Sequence, residues 1–395
     1  MDLYLQFGHG MMGYCRDLIS KWGEGTVILS PRDLTEEQTK TFTKQLKKIN
    51  GKTLFDPQYY NPRADHHKLT QWPHWLNDSS TFETSLFSDK NYLEDKFEII
   101  KEINDYCNTE AYIIPDRICE NVDKYWFQQV ELFLEQSNKF FNDKEKYLTL
   151  ALSFEIMKNE DNIEKIIDRS FSWGVDGYYI VPEGKYLEED PNWLINLALL
   201  VSGLKQQNKK VIVGYSSHQM LSLACANVDA IASGSFLNVR SFNSGKFDNP
   251  DGSISRRAVW YYCPQTLSEY RLRALDRAYE EKVLEQLKPF GKTNEYVEVL
   301  FQGLRPSSVK FGDSLAFKHY LLTLKEQCLL AKRDTFENTI QYHINLADNA
   351  YENIRQLEKK RVIDREKSFK SIVDIYQDTI YKIEKERGAI LKRKW

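Results

Sequence analysis

The stretch Lys209–Phe247 reads KKVIVGYSSHQMLSLACANVDAIASGSFLNVRSFNSGKF. An unbroken apolar run from Val211 to Tyr215 is followed by a polar turn (Ser216, Ser217, His218), a short helical stretch (Gln219 to Ala226) and a second apolar run, Val228 to Ala232, that ends in small and polar residues. Strands buried on both faces read as continuous apolar runs rather than alternating ones, so this is a βαβ unit of minimal length. Ligands on parallel sheets collect where strands end, which makes the residues after each run the first place to look for chemistry.

Upstream, the same pattern recurs six times, at Leu3–Phe7, Thr26–Leu29, Thr53–Phe55, Ala111–Ile114, Tyr147–Leu152 and Gly177–Val181. Each run is followed by a short polar or Gly/Pro turn. Segments with helical spacing lie between them, among them Asn91–Cys107, Val122–Phe141, Asn162–Trp173 and Pro191–Gln207. Eight strand signals alternating with helices over about 250 residues fit a (β/α)8 TIM barrel better than an open doubly wound sheet. The expected fold class is therefore α/β, a barrel with a C-terminal α-helical extension.

A chain of 395 residues leaves material beyond one barrel. The expected partition is a barrel over 1–250, a connecting segment or insertion over 251–314, and a basic helical extension, with a coiled coil as one form of it, over 315–395. No apolar run is long enough for a membrane span, and the first residues carry an acid where a signal peptide carries bases. Six scattered cysteines lack CxxC spacing. A reducing, cytoplasmic setting without membrane association is expected.

Charge is uneven: the chain totals −3, yet Tyr351–Trp395 holds thirteen Lys/Arg against eight Asp/Glu. Apolar positions recur there with helical spacing, at Ile354, Leu357, Ile363, Phe369, Val373, Ile380, Ile383 and Ile390. Two readings follow. The helices pack on the barrel or on another chain, a second copy or a different protein, or the basic clusters Lys359–Arg361 and Lys392–Lys394 contact nucleic acid. In the connecting segment, a helix-like stretch runs from Leu267 to Leu287. Glu298–Gly303, EVLFQG, matches the core of a viral protease site and is given no functional weight.

Between Val175 and Leu330 the sequence resembles the tRNA-guanine transglycosylases, especially their archaeal and DNA-modifying branches. The resemblance rests on Ser217-His218-Gln219-Met220, Val228-Asp229-Ala230-Ile231, Arg240 with Gly245-Lys246-Phe247, Asp176-Gly177-Tyr178 and the helix Leu315–Leu330. It implies a glycosyl (pentosyl) transferase that exchanges, or a protein that recognises, a purine or deazapurine base in nucleic acid. It also implies catalytic roles for Asp56 and Asp229. The chain departs from the family in lacking the second Asp of the expected pair, and of the zinc ligands it keeps only Cys263 and His319, so no metal and no cofactor are expected. The alternative is a barrel that has lost catalysis and serves as a recognition or assembly subunit. A third reading is an unrelated barrel enzyme for a small carbohydrate or nucleoside, with Asp56 and Glu155 or Glu183 as its acid/base pair.

Read from the residues alone, Asp56, Asp116, Glu155 and Glu183 follow apolar runs, where a barrel gathers them on one face. Strand-end acids also cap helices, and Asp116 and Asp33 are open to that role. Asp229 lies early in its run, which suits a structural hydrogen bond as well as catalysis. His9 and His218 sit in small-residue turns where an imidazole reaches a ligand, and Arg32, together with Arg240 as the resemblance implies, completes the expected binding set. The stretch Tyr59–Trp75 reads either as an aromatic lid or, through His66, His67 and His74, as a metal site of unusual spacing. Walker, HExxH and GxSxG motifs are missing, which removes the usual signals for nucleotide hydrolysis, zinc proteolysis and serine hydrolysis.

Overall fold

The computed structural model describes residues 1–61, 66–75, 89–247, 258–289 and 294–395. Strands β1 (Asp2–Gln6), β2 (Gly25–Leu29), β3 (Gly51–Phe55), β4 (Ala111–Ile114), β5 (Glu145–Leu152), β6 (Gly177–Pro182), β7 (Lys210–Val213) and β8 (Ala230–Ser233) form one parallel sheet in the order β3-β2-β1-β8-β7-β6-β5-β4. The sheet curls until its edges meet: the Glu110 amide, just before β4, donates to the Thr53 carbonyl of β3 at 3.0 Å. This is a (β/α)8 barrel. Its strands are buried on both faces, with all five residues of β2 and all six of β6 buried, as their apolar runs require.

The barrel helices are α1 (Met12–Trp22), α2 (Glu36–Lys47), α3 (Lys90–Cys107), α4 (Lys124–Phe140), α5 (Phe154–Met157), α6 (Glu160–Ser170) and α7 (Pro191–Gln206). Their starts are set locally. Thr35 and Gln38 form a reciprocal capping box on α2, while Asp89, Asp123 and Asp190 accept backbone N–H bonds at the heads of α3, α4 and α7. The helical link between β7 and β8 is a nine-residue 3-10 helix, His218–Ala226, buried throughout.

The helix-like stretch from Leu267 is corrected by an antiparallel hairpin, β9 (Trp260–Cys263) with β10 (Ser268–Arg271), in which Tyr270 faces Tyr261. Leu267 takes a positive φ of 46° at the turn, and the helix proper is confined to α8 (Leu272–Glu280). Tertiary strand pairing overrides helical spacing here. A small second core joins the hairpin to Leu284, Leu287, Val297 and Leu300, so part of the EVLFQG segment is structural.

Three further helices follow: α9 (Asp313–Ala331), α10 (Phe336–Lys359) and α11 (Val373–Lys394). Helix α11 lies along α7 and α10 and against the 3-10 helix. Ile354, Leu357, Phe369, Val373, Ile380, Ile383 and Leu391 are thereby buried, and only Ile363 and Ile390 of the apolar stripe stay exposed. Most of the stripe that suggested a partner chain is thus covered within its own chain, by the barrel and, at Leu357, by the small second core. Among the described residues, no helix is long and apolar enough to cross a membrane.

Candidate functional site

At the C-terminal ends of the strands lies a cavity of about 1130 Å³, walled by the loops after β1, β2, β3, β6 and β8, the β9–β10 hairpin, the start of α9 and the segment between α10 and α11. Its described lining carries seven Lys/Arg (Arg32, Lys68, Lys185, Arg240, Lys246, Arg271, Lys367) and four acids (Asp33, Glu269, Asp313, Glu366). In a chain whose total charge is −3, the mouth is locally cationic.

One wall is built on Arg32. Its amide donates to Gln58 Oε1 at 3.1 Å, its guanidinium donates to the Lys246 carbonyl at 3.2 Å, and the same group lies 4.8 Å over the Phe247 ring. Lys246 sits in a short 3-10 turn, Ser244–Phe247, held from the barrel side by Glu183, whose Oε1 accepts from the Ser244 amide at 2.9 Å and its hydroxyl at 2.7 Å. Burial, and then the neighbouring Arg32 charge, push the Lys246 amine down to about 8. Burial and Arg32 likewise hold His66 below its usual value.

The opposite wall is a buried ion cluster. Glu269 of β10 accepts from Arg240 at 3.2 Å, from Lys367 at 3.3 Å, and from the Tyr186 hydroxyl. Arg240 also donates to the Gly234 carbonyl at 2.8 Å, and its guanidinium lies 3.4 Å from the centre of the Tyr320 ring. Burial works to raise the Glu269 carboxyl, but Lys367 and Arg240 outweigh it and keep the group below the ordinary glutamate value. The carboxylate is therefore ionised and occupied, a poor proton donor.

Of the site residues expected from sequence, His9, Arg32 and Arg240 line this cavity. Asp56 does not. It is 1% exposed in the barrel interior, accepting from Tyr60 at 2.6 Å and from the Gln58 amide at 3.0 Å, and burial pushes it up to about 7. His218 is buried behind Tyr186, with Nδ1 at 3.3 Å from that hydroxyl, and burial lowers it to about 4. Asp116 is enclosed by the Arg117 amide (2.8 Å) and Trp126 Nε1 (3.2 Å), and burial raises it to about 8. Glu155 faces solvent beside Lys158 at 3.6 Å, and Glu183 anchors the Lys246 turn.

Asp229 stands at the other end of the barrel. It precedes β8, pairs with Lys205 at 2.7 Å and accepts from the Val211 amide at 2.7 Å, tying the starts of two strands to the end of α7. The catalytic role expected for it is corrected on that geometry. The metal reading of Tyr59–Trp75 also lacks support: His74 packs between Phe55, Tyr59 and Trp72, and no group of three His, Cys, Asp or Glu among the described residues is arranged for a metal.

Glu269, Lys367 and Tyr186 were not singled out by the sequence. Lys246 was visible in the polar end after the eighth strand, but only as part of a motif. Glu269 and Lys367 come from the hairpin and the C-terminal segment, where no strand-end rule applies.

No protein-family model and no curated protein matches the sequence. Among solved structures, an endo-1,4-beta-xylanase from Caldicellulosiruptor owensensis aligns at 10% identity and TM-score 0.37, covering 59% of this chain and 84% of that one. A Thermobacillus composti GH10 xylanase aligns at 11% identity and TM-score 0.37, covering 59% and 83%. A mutant protein in complex with xylotriose aligns at 12% identity and TM-score 0.35, covering 59% and 84%. At these values no activity is transferred. The expected transglycosylase membership, with its base-exchange or base-recognition function and the degenerate assembly-subunit alternative, is corrected: no family model supports it, and Asp56 and Asp229 lie at opposite ends of the barrel strands and outside the cavity lining.

Proposed function

We propose that the barrel mouth binds a small anionic molecule, one that carries phosphate or carboxylate groups. The excess of cations over acids in the described lining carries this reading. Lys68, Lys185 and Lys246 have no carboxylate within 4.0 Å among the described residues, so their charge is open to a ligand. The loop after β8 contributes the stretch from Ser235 to Lys246, and barrels commonly hold phosphate with the loops after their seventh and eighth strands. The cavity is at the large end for small-molecule sites, room enough for a nucleotide- or cofactor-sized ligand. The six buried, unpaired cysteines support a reducing setting, the cytoplasm.

The acid/base reading for a carbohydrate is less favoured by the same geometry. Glycoside hydrolysis needs two carboxyl groups flanking the reacting bond. Asp33, Glu269 and Glu366 are each held by an arginine, which leaves Asp313 alone among the described lining acids.

Calorimetry and thermal melting with pyrophosphate at low ionic strength test the proposal. Binding should raise the melting temperature, weaken as salt is added, and fall about tenfold on Lys185→Met, as loss of a charge-assisted hydrogen bond predicts. If pyrophosphate, inorganic phosphate and citrate all fail to bind or to shift the melt, the reading is wrong.

A further inference from the structure

Lys246 differs from the other cations of the mouth. Arg240 and Lys367 are committed to Glu269, and Arg271 to Asp364 and Glu366. Lys185 is exposed. The Lys246 amine is half-buried, has no carboxylate within 4.0 Å among the described residues, and rises from a backbone fixed on two sides, by Arg32 at its carbonyl and by Glu183 at the head of its turn. An amine placed on a rigid turn, beside a second cation and facing a cavity, is the arrangement that favours a nucleophilic lysine.

We propose that Lys246 is the nucleophile of this cavity and forms an imine with a ligand that carries an aldehyde or ketone beside its anionic group. The inference rests on the anionic-ligand reading and adds a carbonyl to it. The neutral amine's lone pair forms the C–N bond while the carbonyl π pair moves to oxygen. That oxygen then leaves as water, taking both protons of the amine nitrogen, and protonation of the imine by solvent gives the iminium. Hydrolysis reverses the sequence, and no oxidant or reductant is needed. Burial first, and then the like charge of Arg32, favour the neutral amine, and Arg32 also draws the ligand's anion toward it.

The charged and titratable groups that share the mouth with Lys246 are His9 after β1, Arg32 and Asp33 after β2, His66, His67 and Lys68 after β3, Lys185 and Tyr186 after β6, Arg240 after β8, Glu269 and Arg271 of the hairpin, Asp313 of α9, and Glu366 and Lys367 before α11. Arg32 is the one that acts directly on the amine, whose value of about 8 leaves a substantial neutral fraction near physiological pH.

Incubation of the full-length protein with pyridoxal 5′-phosphate, an anionic aldehyde, then cyanoborohydride and peptide mass mapping, reads the bond directly. The label should fall on Lys246 ahead of every other lysine, with a half-maximal rate near pH 8, and pyrophosphate should protect. Lys246→Met should lose the preferred label with an unchanged melting temperature, while Arg32→Gln should move the half-maximal pH upward. Label spread evenly over surface lysines, with pyrophosphate still bound, would overturn the nucleophile and leave the anion site standing. Loss of both signals would overturn the two together.

Discussion

Glu269 is the residue on which the second wall of the cavity depends. Two cations and a phenol converge on one carboxylate whose side chain is 4% exposed, with Arg240 at 3% and Lys367 at 7%. Removing one member of such a cluster leaves the others buried without a counter-charge, which costs about 3–5 kcal/mol. Glu269→Gln should therefore lower stability by about that amount in urea titrations. Adding Lys367→Met to it should restore part of the loss, because the pair is coupled. A loss below about 1 kcal/mol would mean that solvent reaches the cluster. None of this was legible in the sequence, where Glu269 falls in a stretch with helical spacing and Lys367 in a basic tail that looked solvated. Arg32 was legible because it follows a strand, whereas Arg240 entered only through the family resemblance.

Helix α7 is apolar on every side, with buried residues running almost unbroken from Trp193 to Leu204. A helix of that kind needs covering on its outer face as well as against the strands. Helix α11 supplies the cover, which explains why an apolar stripe recurs so far beyond the barrel. Ile383, 1% exposed on α11, should cost about 2–4 kcal/mol when changed to Ala, whereas the 40% exposed Ile390 should cost under about 0.5 kcal/mol. Comparable losses at both positions would mean that Ile390 is covered too, by a second molecule. The stripe itself could be read from spacing, but its partner could not: packing on the barrel and packing on another chain present the same periodicity.

At the scale of the whole molecule, two sets of buried ionisable groups set opposing pH dependences. Burial lowers His74 to about 3 and His218, His319 and His343 to about 4, all below the ordinary 6.5. These imidazoles stay neutral in the fold, so the stability they allow is present above pH 6.5 and is lost as pH falls toward 4. Asp56 and Asp116 behave in the reverse sense: their folded values of about 7 and 8 lie above the ordinary 3.8, so the stability tied to their protonated forms is lost as pH rises from 4 toward 8. Among these six groups, four histidines outweigh two aspartates below pH 6.5, and above it the aspartates are the ones that still titrate. Urea midpoints measured across this range should peak between about pH 6 and 7. A midpoint that keeps climbing to pH 8 would show that Asp56 and Asp116 are ionised in the native barrel, and Asp116→Asn should flatten the descent above the peak.

The sequence by itself determined the barrel. A strand buried on both faces must be apolar throughout, and a helix must begin at a cap, so eight apolar runs ending in polar turns were enough to specify a parallel αβ alternation. It also determined which residues stand at strand ends, since Arg32, Asp56 and Glu183 all follow a run. Only the tertiary structure decided which of these open into the cavity and which are buried or serve as anchors. Whether a strand-end side chain meets solvent or Tyr60 depends on loops folded over it from elsewhere in the chain. The tertiary structure also decided that Asp229 clamps the barrel's far end, and that the hairpin and C-terminal segment bring Glu269 and Lys367 into the mouth. Such meetings depend on contacts between residues about a hundred positions apart, and no local spacing encodes them.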